Sequence, residues 1–208
     1  MSVKVAIIYY SATGTTYQLA RGIEEGAREA GAEVRLRKVQ ELAPEEAIKA
    51  NQGWSAHRLE TQAVEEAQLS DLEWAEAIIF GTPTRYGLPS AQLKQFIDQT
   101  GGLWFQGKLV NKIASSFTSA ATLHGGHETT LTAINNVFYS WGSIIVAPAY
   151  ADPIQFQAGN PYGASFTSNN GELKPDEVAL KAARFQGKRI AEVAGQFLAG
   201  RKTDAPKQ

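Results

Sequence analysis

No cysteine occurs among the 208 residues, and that absence excludes disulfides, thiolate nucleophiles, iron–sulfur ligation and cysteine-based zinc sites together. Any redox chemistry has to come from a bound cofactor. An excess of either charge is lacking too: 20 Lys and Arg against 21 Asp and Glu leave a formal net charge of −1, so there is no basic footprint for nucleic acid. No stretch approaches the ~18 apolar residues of a membrane span. The first apolar run, VKVAIIYY, lacks a basic leader and is too short for a signal-peptide core. These absences lead to the expectation of a cytoplasmic protein with no nucleic-acid partner and no membrane span.

With 43% hydrophobic and 20% charged residues, the composition is that of an ordinary globular protein able to bury roughly 70% of its extended-chain surface. Hydrophobic runs alternate with helical periodicities. Strands are predicted over Val3 to Tyr10, Ala32 to Val39, Ala77 to Gly81, Lys112 to Ala120 and Ser143 to Tyr150. The helices between them carry apolar faces: Leu19, Ile23 and Ala27; Leu93, Phe96 and Ile97, on a helix with Pro89 in its first turn; Leu131, Ile134 and Phe138. Ser70 with Glu73 fits a capping box before the third strand. Pro175 and Asp176 open a last helix striped by Ala179, Ala182, Ala183, Ile190, Val193 and Phe197.

The segment from Gln40 to Gln68 is a polar excursion with short helices, and Ala151 to Lys174 is irregular. Strands alternating with helices imply right-handed parallel crossovers. The expected architecture is α/β: one doubly wound, five-stranded parallel sheet of order 2-1-3-4-5 with helices on both faces. It forms a single domain over 1–200, with 201–208 a frayed tail.

Ligands of such sheets bind beyond the carboxyl ends of the strands, at the switch in strand order. Three loops meet there: SATGTT (11–16), TPTRYG (82–87) and TSAATLHGGHE (118–128). In the first, Gly14 permits a sharp turn, helix-start amides point outward, and Ser11, Thr13, Thr15 and Thr16 add hydroxyls. The loop has neither the Gly-Lys-Ser/Thr ending of a triphosphate loop nor the G-x-G-x-x-G of a dinucleotide fold. Read alone it is either a helix N-cap or a neutral cradle for one phosphate monoester. In the second loop Pro83 enforces extended backbone, Gly87 permits close approach and Tyr86 offers a ring face. QTGGLWFQGK (99–108) holds Trp104 and Phe105 in what reads as a loop, where Trp104 is a candidate stacking wall. His57, His124 and His127 have too little carboxylate support for a metal site, and surface or loop-shaping roles are expected for all three.

Taken together, YYSATG, IIFGTPTRYG, FIDQTGGLW, NPYGAS and ARFQG, in that order and spacing, resemble the WrbA family of flavodoxin-like, FMN-dependent NAD(P)H:quinone oxidoreductases over essentially the whole chain. GTPTRYG followed by DQTGGLW is the specific part, since SATGTT alone says only flavodoxin-like. The resemblance implies bound FMN, with NADH or NADPH as co-substrate and a quinone as acceptor. It implies ping-pong, two-electron reduction to the hydroquinone through hydride transfer at flavin N5, with no catalytic acid or base named.

It also places the phosphate on Ser11, Ala12, Thr13, Gly14, Thr15 and Thr16, and the ring against Pro83, Thr84, Arg85, Tyr86 and Gly87. The other edge of the flavin falls to Thr118, Ser119, Ala120, Ala121, Thr122, Gly125 and Gly126. Trp104 and Thr13 are the expected substrate-binding residues, and a homotetramer is implied, with pocket walls from neighbouring subunits. The chain departs from the family at Thr13, where many relatives carry an aromatic residue, and in SAATLHGGHE, which replaces the shorter STGTGGGQE. The relatives' flavin-side histidine aligns best with Ser140, with Tyr139 and Trp141 as alternatives. A flavodoxin-type electron carrier and an FMN-binding regulatory or scaffold protein are the competing readings.

Overall fold

The computed structural model describes residues 2–203. In chain order the elements are β1 (Lys4–Tyr9), α1 (Thr15–Glu29), β2 (Glu33–Lys38), α2 (Glu45–Lys49), α3 (Gln52–Glu60), α4 (Leu69–Trp74), β3 (Ala77–Arg85), β4 (Leu88–Pro89), α5 (Ala91–Asp98) and α6 (Gly101–Phe105). There follow β5 (Ile113–Ala120), α7 (His127–Trp141), β6 (Ile144–Ile145), α8 (Pro153–Ala158), β7 (Ser165–Thr167) and α9 (Glu177–Thr203).

β1 lies between parallel β2 and β3, and its residues Val5 to Tyr9 are essentially inaccessible because both faces are covered. The side-chain period of two divides the core accordingly. Val5, Ile7 and Tyr9 pack with Leu19, Ile23 and Ala27 of α1 and with Ala183 and Ile190 of α9. Ala6, Ile8 and Tyr10 face the other layer with Leu72, Leu93, Ile134 and Phe138. Each large apolar side chain buried in these layers contributes about 1.5–3 kcal/mol. On the first layer Gly26 and Gly187 let α1 and α9 touch backbone to backbone, since a Cβ at either would collide with a carbonyl of the opposite helix.

The central order is β2-β1-β3-β5-β6, so the five expected strands lie in the expected sequence, but the sheet holds seven strands rather than five. β4 pairs antiparallel with β3, and β7 pairs parallel with β5. The fifth predicted strand is cut to Ile144–Ile145, which pairs only with Ile113 and Ala114. After it the chain leaves the sheet, makes α8, and returns as β7 beside Thr118 to Ala120. The outer edge of β5 is therefore shared between two short strands.

Four smaller expectations are also corrected. The cap of α4 uses Asp71, whose carboxylate accepts from the Gln68 amide at 2.9 Å, rather than Ser70 and Glu73. Pro89 belongs to β4, and Ser90 is the N-cap of α5. The segment holding Trp104 and Phe105 is the short helix α6 and not a loop. α9 continues to Thr203, three residues into the expected tail, whose remainder lies outside the described residues.

The motifs NPYGAS and ARFQG meet at β5. Gln186, fully buried in α9, accepts from the Ala164 amide at 2.7 Å and donates to Ser115 Oγ at 2.8 Å and to the Ser116 carbonyl at 2.9 Å. Gly163 sits where a Cβ would strike that same carbonyl. One amide thus fastens the excursion between β6 and β7 to the sheet. Gln186→Leu would leave the Ala164 amide and the Ser116 carbonyl buried without their partner, a cost of about 3 kcal/mol. Urea unfolding of the apoprotein is expected to show a loss of that size, and an unchanged midpoint would contradict this role.

Candidate functional site

The carboxyl ends of β1, β3 and β5 open into one cavity of about 390 Å³, a size within the range of small-molecule sites. Its floor is the turn from β1 into α1. Gly14 there has φ +99, a left-handed conformation that only glycine adopts without strain. No side chain caps α1, so its first amides keep the unpaired donors of a helix start. Ser11 Oγ accepts from the Gly14 amide at 3.1 Å, which fixes the hydroxyl while leaving its hydrogen available. Thr16 Oγ1 and Ser119 Oγ lie 2.9 Å apart and are buried, tying the turn to the end of β5.

The β3–β4 connection is a two-residue hairpin with both central residues left-handed, Tyr86 at φ 55 and Gly87 at φ 79, the backbone of a tight turn matched to strand twist. Hydroxyls hold it in place. Thr82 Oγ1 donates to Ser90 Oγ at 3.0 Å, Thr118 Oγ1 donates to the Thr82 carbonyl at 2.7 Å, and Thr130 Oγ1 donates to Thr84 Oγ1 at 2.8 Å. The hairpin presses on the start of α7, where a Cβ at Gly126 would come within 2.9 Å of Gly87 Cα.

The structure brings Ser11, Ala12, Thr13, Thr15, Thr16, Pro83, Thr84, Arg85, Ser119, Ala120, Ala121, Thr122 and Gly125 together around the cavity. Seven other expected residues are not on its wall. Gly14 lies beneath the turn, its Cβ position 3.4 Å from His57 Nδ1. Tyr86 is 102% exposed and points into solvent, because the hairpin twist turns residue 86 outward. Gly87 and Gly126 make the hairpin contact, and Thr118 is buried structure within β5.

Ser140 lies near the far end of α7, some 14 residues from Gly126, or about 20 Å along the helix. Trp104 is there as well: its Nε1 donates to the Ser140 carbonyl at 3.0 Å, and the ring is 53% exposed. Both residues are remote from this chain's own cavity.

Four lining residues escaped the sequence reading: Asn51, Trp54, Ser168 and Asn170. Asn51 is the N-cap of α3, with its Oδ1 accepting from the Trp54 amide at 3.0 Å. NQGW could have been read as a helix start carrying the one large aromatic of a polar excursion. Ser168 bonds the Ala120 carbonyl through both its amide and its hydroxyl, and Asn169, Asn170 and Gly171 follow at positive φ. SNNG was legible as a turn, though not as one brought to this cavity. Thr13 is wedged between that turn and Gly53: a Cβ at Gly171 would lie 2.7 Å from Thr13 Oγ1. The space beside position 13 is thus taken by backbone, which suits a small residue.

His57, within α3, and His127, the first residue of α7, are both buried and not at the surface. His57 is 5% exposed and packs on Tyr17 with ring centroids 5.4 Å apart, while its Nδ1 lies 3.1 Å from Glu60 Oε2. His127 Nε2 is 3.2 Å from the Phe166 carbonyl. Burial holds the His57 imidazole below the ordinary histidine value, against the opposing pull of Glu60, with Lys38 adding slightly to the lowering.

The profile of the family described as NADPH-dependent FMN reductase matches residues 3–157. A protein of Deinococcus radiodurans named NAD(P)H dehydrogenase (quinone) is 45% identical over 94% of this chain and 98% of its own length. One of the same name from Paracoccus denitrificans is 41% identical over 97% and 98%. Among solved structures, a flavodoxin, WrbA-like protein from Agrobacterium tumefaciens superposes with a TM-score of 0.66 at 27% identity, covering 94% of this chain and 99% of that one. An archaeal flavodoxin at 19% identity, TM-score 0.63, shares the fold. The flavodoxin-like fold and the resemblance read from the motifs are borne out.

The buried His57 sets a pH dependence. Because its native value is depressed, the unfolded chain binds the proton more readily. Stability from keeping the ring neutral is present above the ordinary value of 6.5 and is lost as the pH falls through it toward the native value. In His57→Gln the fall in urea midpoint between about pH 7 and about pH 5 is expected to be shallower than in the wild type. An equal slope would contradict the assignment.

Proposed function

Because the chain belongs to the NADPH-dependent FMN reductase family, we propose that it binds FMN at the β1–β3–β5 edge and acts as an NAD(P)H:quinone oxidoreductase. The observation that carries this reading is the uncapped start of α1 on left-handed Gly14, turned toward the 390 Å³ cavity. The donor set fits a phosphate monoester: helix-start amides, the free hydrogen of Ser11 and the hydroxyls of Thr13 and Thr15 supply hydrogen bonds without a cation in the loop. Among the described residues the one cation lining the cavity is Arg85, whose guanidinium turns back to the Thr84 carbonyl at 3.0 Å.

The rest of the cavity suits a flat heterocycle. Extended backbone at Pro83 to Arg85 faces the loop of Ser119 to Gly125; the first segment is pinned by the Thr82, Thr118 and Thr130 hydroxyls, and the start of the second by the Thr16–Ser119 contact and by Ser168 on the Ala120 carbonyl. Amides held this rigidly can stabilise charge gathering on a ring edge without reorganising. The turn at Asn170 and the indole of Trp54 close the sides and limit water. Bound FMN would supply the chemistry itself, ping-pong two-electron transfer through its N5 from NADH or NADPH to a quinone. The chain's task is then positioning, bringing donor and acceptor rings within ~3–3.5 Å in turn, and no side chain is assigned as acid or base.

Trp104 and Ser140 can serve such a reaction only from another subunit, since they lie together at the opposite end of α7 from this chain's cavity. We therefore read the working form as a homotetramer in which each cavity is completed by a neighbour. The near-neutral charge favours the reductase over an electron carrier, whose docking depends on a strongly charged rim.

Steady-state turnover of FMN-loaded protein with NADH or NADPH and benzoquinone is the direct test. Hydroquinone formation with parallel initial-rate plots is expected. Absence of turnover by protein that retains FMN would overturn the enzymatic reading in favour of a carrier or scaffold.

A further inference from the structure

Beside the cavity, and outside the family motifs, one carboxylate gathers donors from four segments. Glu41 Oε2 accepts from the Tyr10 hydroxyl at 2.9 Å and from Trp54 Nε1 at 3.1 Å. Its Oε1 accepts from Gln92 Nε2 at 2.8 Å and from the Leu42 and Ala43 amides at 2.9 and 3.0 Å. These donors belong to the end of β1, to α3, to α5 and to the turn of Glu41 itself. An ionised carboxylate accepts only, with about four lone-pair sites, so this arrangement fills its capacity. Burial disfavours its charged form, but the donors outweigh burial and hold the carboxyl below its usual range.

Trp54 is what this hub controls at the cavity. It supplies the one aromatic ring on the cavity wall among the described residues, half-buried and packed with the layer that holds Ala12. Its indole N–H has one acceptor, Glu41. The ring stands on α3, in the polar excursion between β2 and α4, where propensity and core packing alone fix a side chain weakly. The Asn51 cap fixes the helix start, and the Glu41 bond fixes the ring.

We propose that Glu41 is a positioning residue: by holding the Trp54 indole as a wall of the cofactor cavity, it governs how long FMN is retained. This rests on the FMN reading above. A ring held in one orientation binds without a fresh ordering cost, whereas a ring released from Glu41 must be re-ordered each time the cavity fills.

The test is a double-mutant cycle on FMN-loaded protein, with dissociation followed by the recovery of free-flavin fluorescence after dilution. Glu41→Gln keeps the shape but replaces an acceptor oxygen with a donor. Trp54→Phe keeps a ring, removes its N–H and leaves the other Glu41 bonds in place. Each single variant is expected to release FMN about tenfold faster, as the loss of one charged hydrogen bond permits. The double variant is expected to be no faster than Trp54→Phe alone. A full additional factor from Glu41→Gln in the Trp54→Phe background would overturn the proposal, as would an unchanged rate in both single variants.

A second readout needs no flavin. In the apoprotein, the Trp54 indole N–H cross-peak, assigned by its loss in Trp54→Phe, is expected to shift and lose exchange protection in Glu41→Gln. FMN retention with an unmoved cross-peak would overturn the positioning role alone. Failure of the wild type to retain FMN would overturn the FMN reading and, with it, this role in retention.

Discussion

The left-handed turn at Gly14 is the constraint on which the site depends. A buried central strand has to end, reverse into a helix and leave that helix start without a side-chain cap. Only glycine makes the turn cheaply, and the amides it leaves unpaired are donors of the kind that suit an anion. The surroundings enforce the geometry: His57 supports the turn from below, Ser11 holds the Gly14 amide, and the Thr16–Ser119 contact ties it to β5.

The other walls depend on hydroxyl and amide hubs more than on hydrophobic packing. Thr82, Thr84, Thr118 and Thr130 lock the β3–β4 hairpin against β5 and α7. Gln186 returns the β6–β7 excursion to the sheet, and that excursion leads to the Ser168 turn on the cavity. Each hub replaces water for several buried polar groups at once, so each matters more than its count of bonds suggests. This is how a cavity lined by more polar than apolar surface stays shaped.

What could be read in advance follows from which interactions are local. β1, α1 and the Gly14 turn are dictated within a few residues of sequence, and thirteen expected lining residues do meet in the cavity. The side chain of Tyr86 could not be oriented, because it depends on a hairpin whose short second strand, Leu88–Pro89, is too brief to show a period. Ser140 was legible as a neighbour of a flavin only by resemblance, and Trp104 also as an aromatic outside any period; within one chain both lie at the far end of α7 from the cavity. Asn51, Trp54, Ser168 and Asn170 come from irregular segments that reach the site through long-range contacts, which local pattern does not encode. The broken fifth strand had the same cause, since its pairing is handed from β6 to β7 across an excursion.

If amides and hydroxyls, rather than cations, hold the ligand's phosphate, then affinity should depend on that phosphate and little on salt. The decisive measurement is the equilibrium affinity of the apoprotein for FMN and for riboflavin, by titration of flavin fluorescence at low and high ionic strength. FMN is expected to bind about a thousandfold more tightly than riboflavin, the worth of two or three charge-assisted hydrogen bonds, with only a slight loss at high salt. Equal affinity for the two flavins, or a preference for FMN that collapses with salt, would contradict the account.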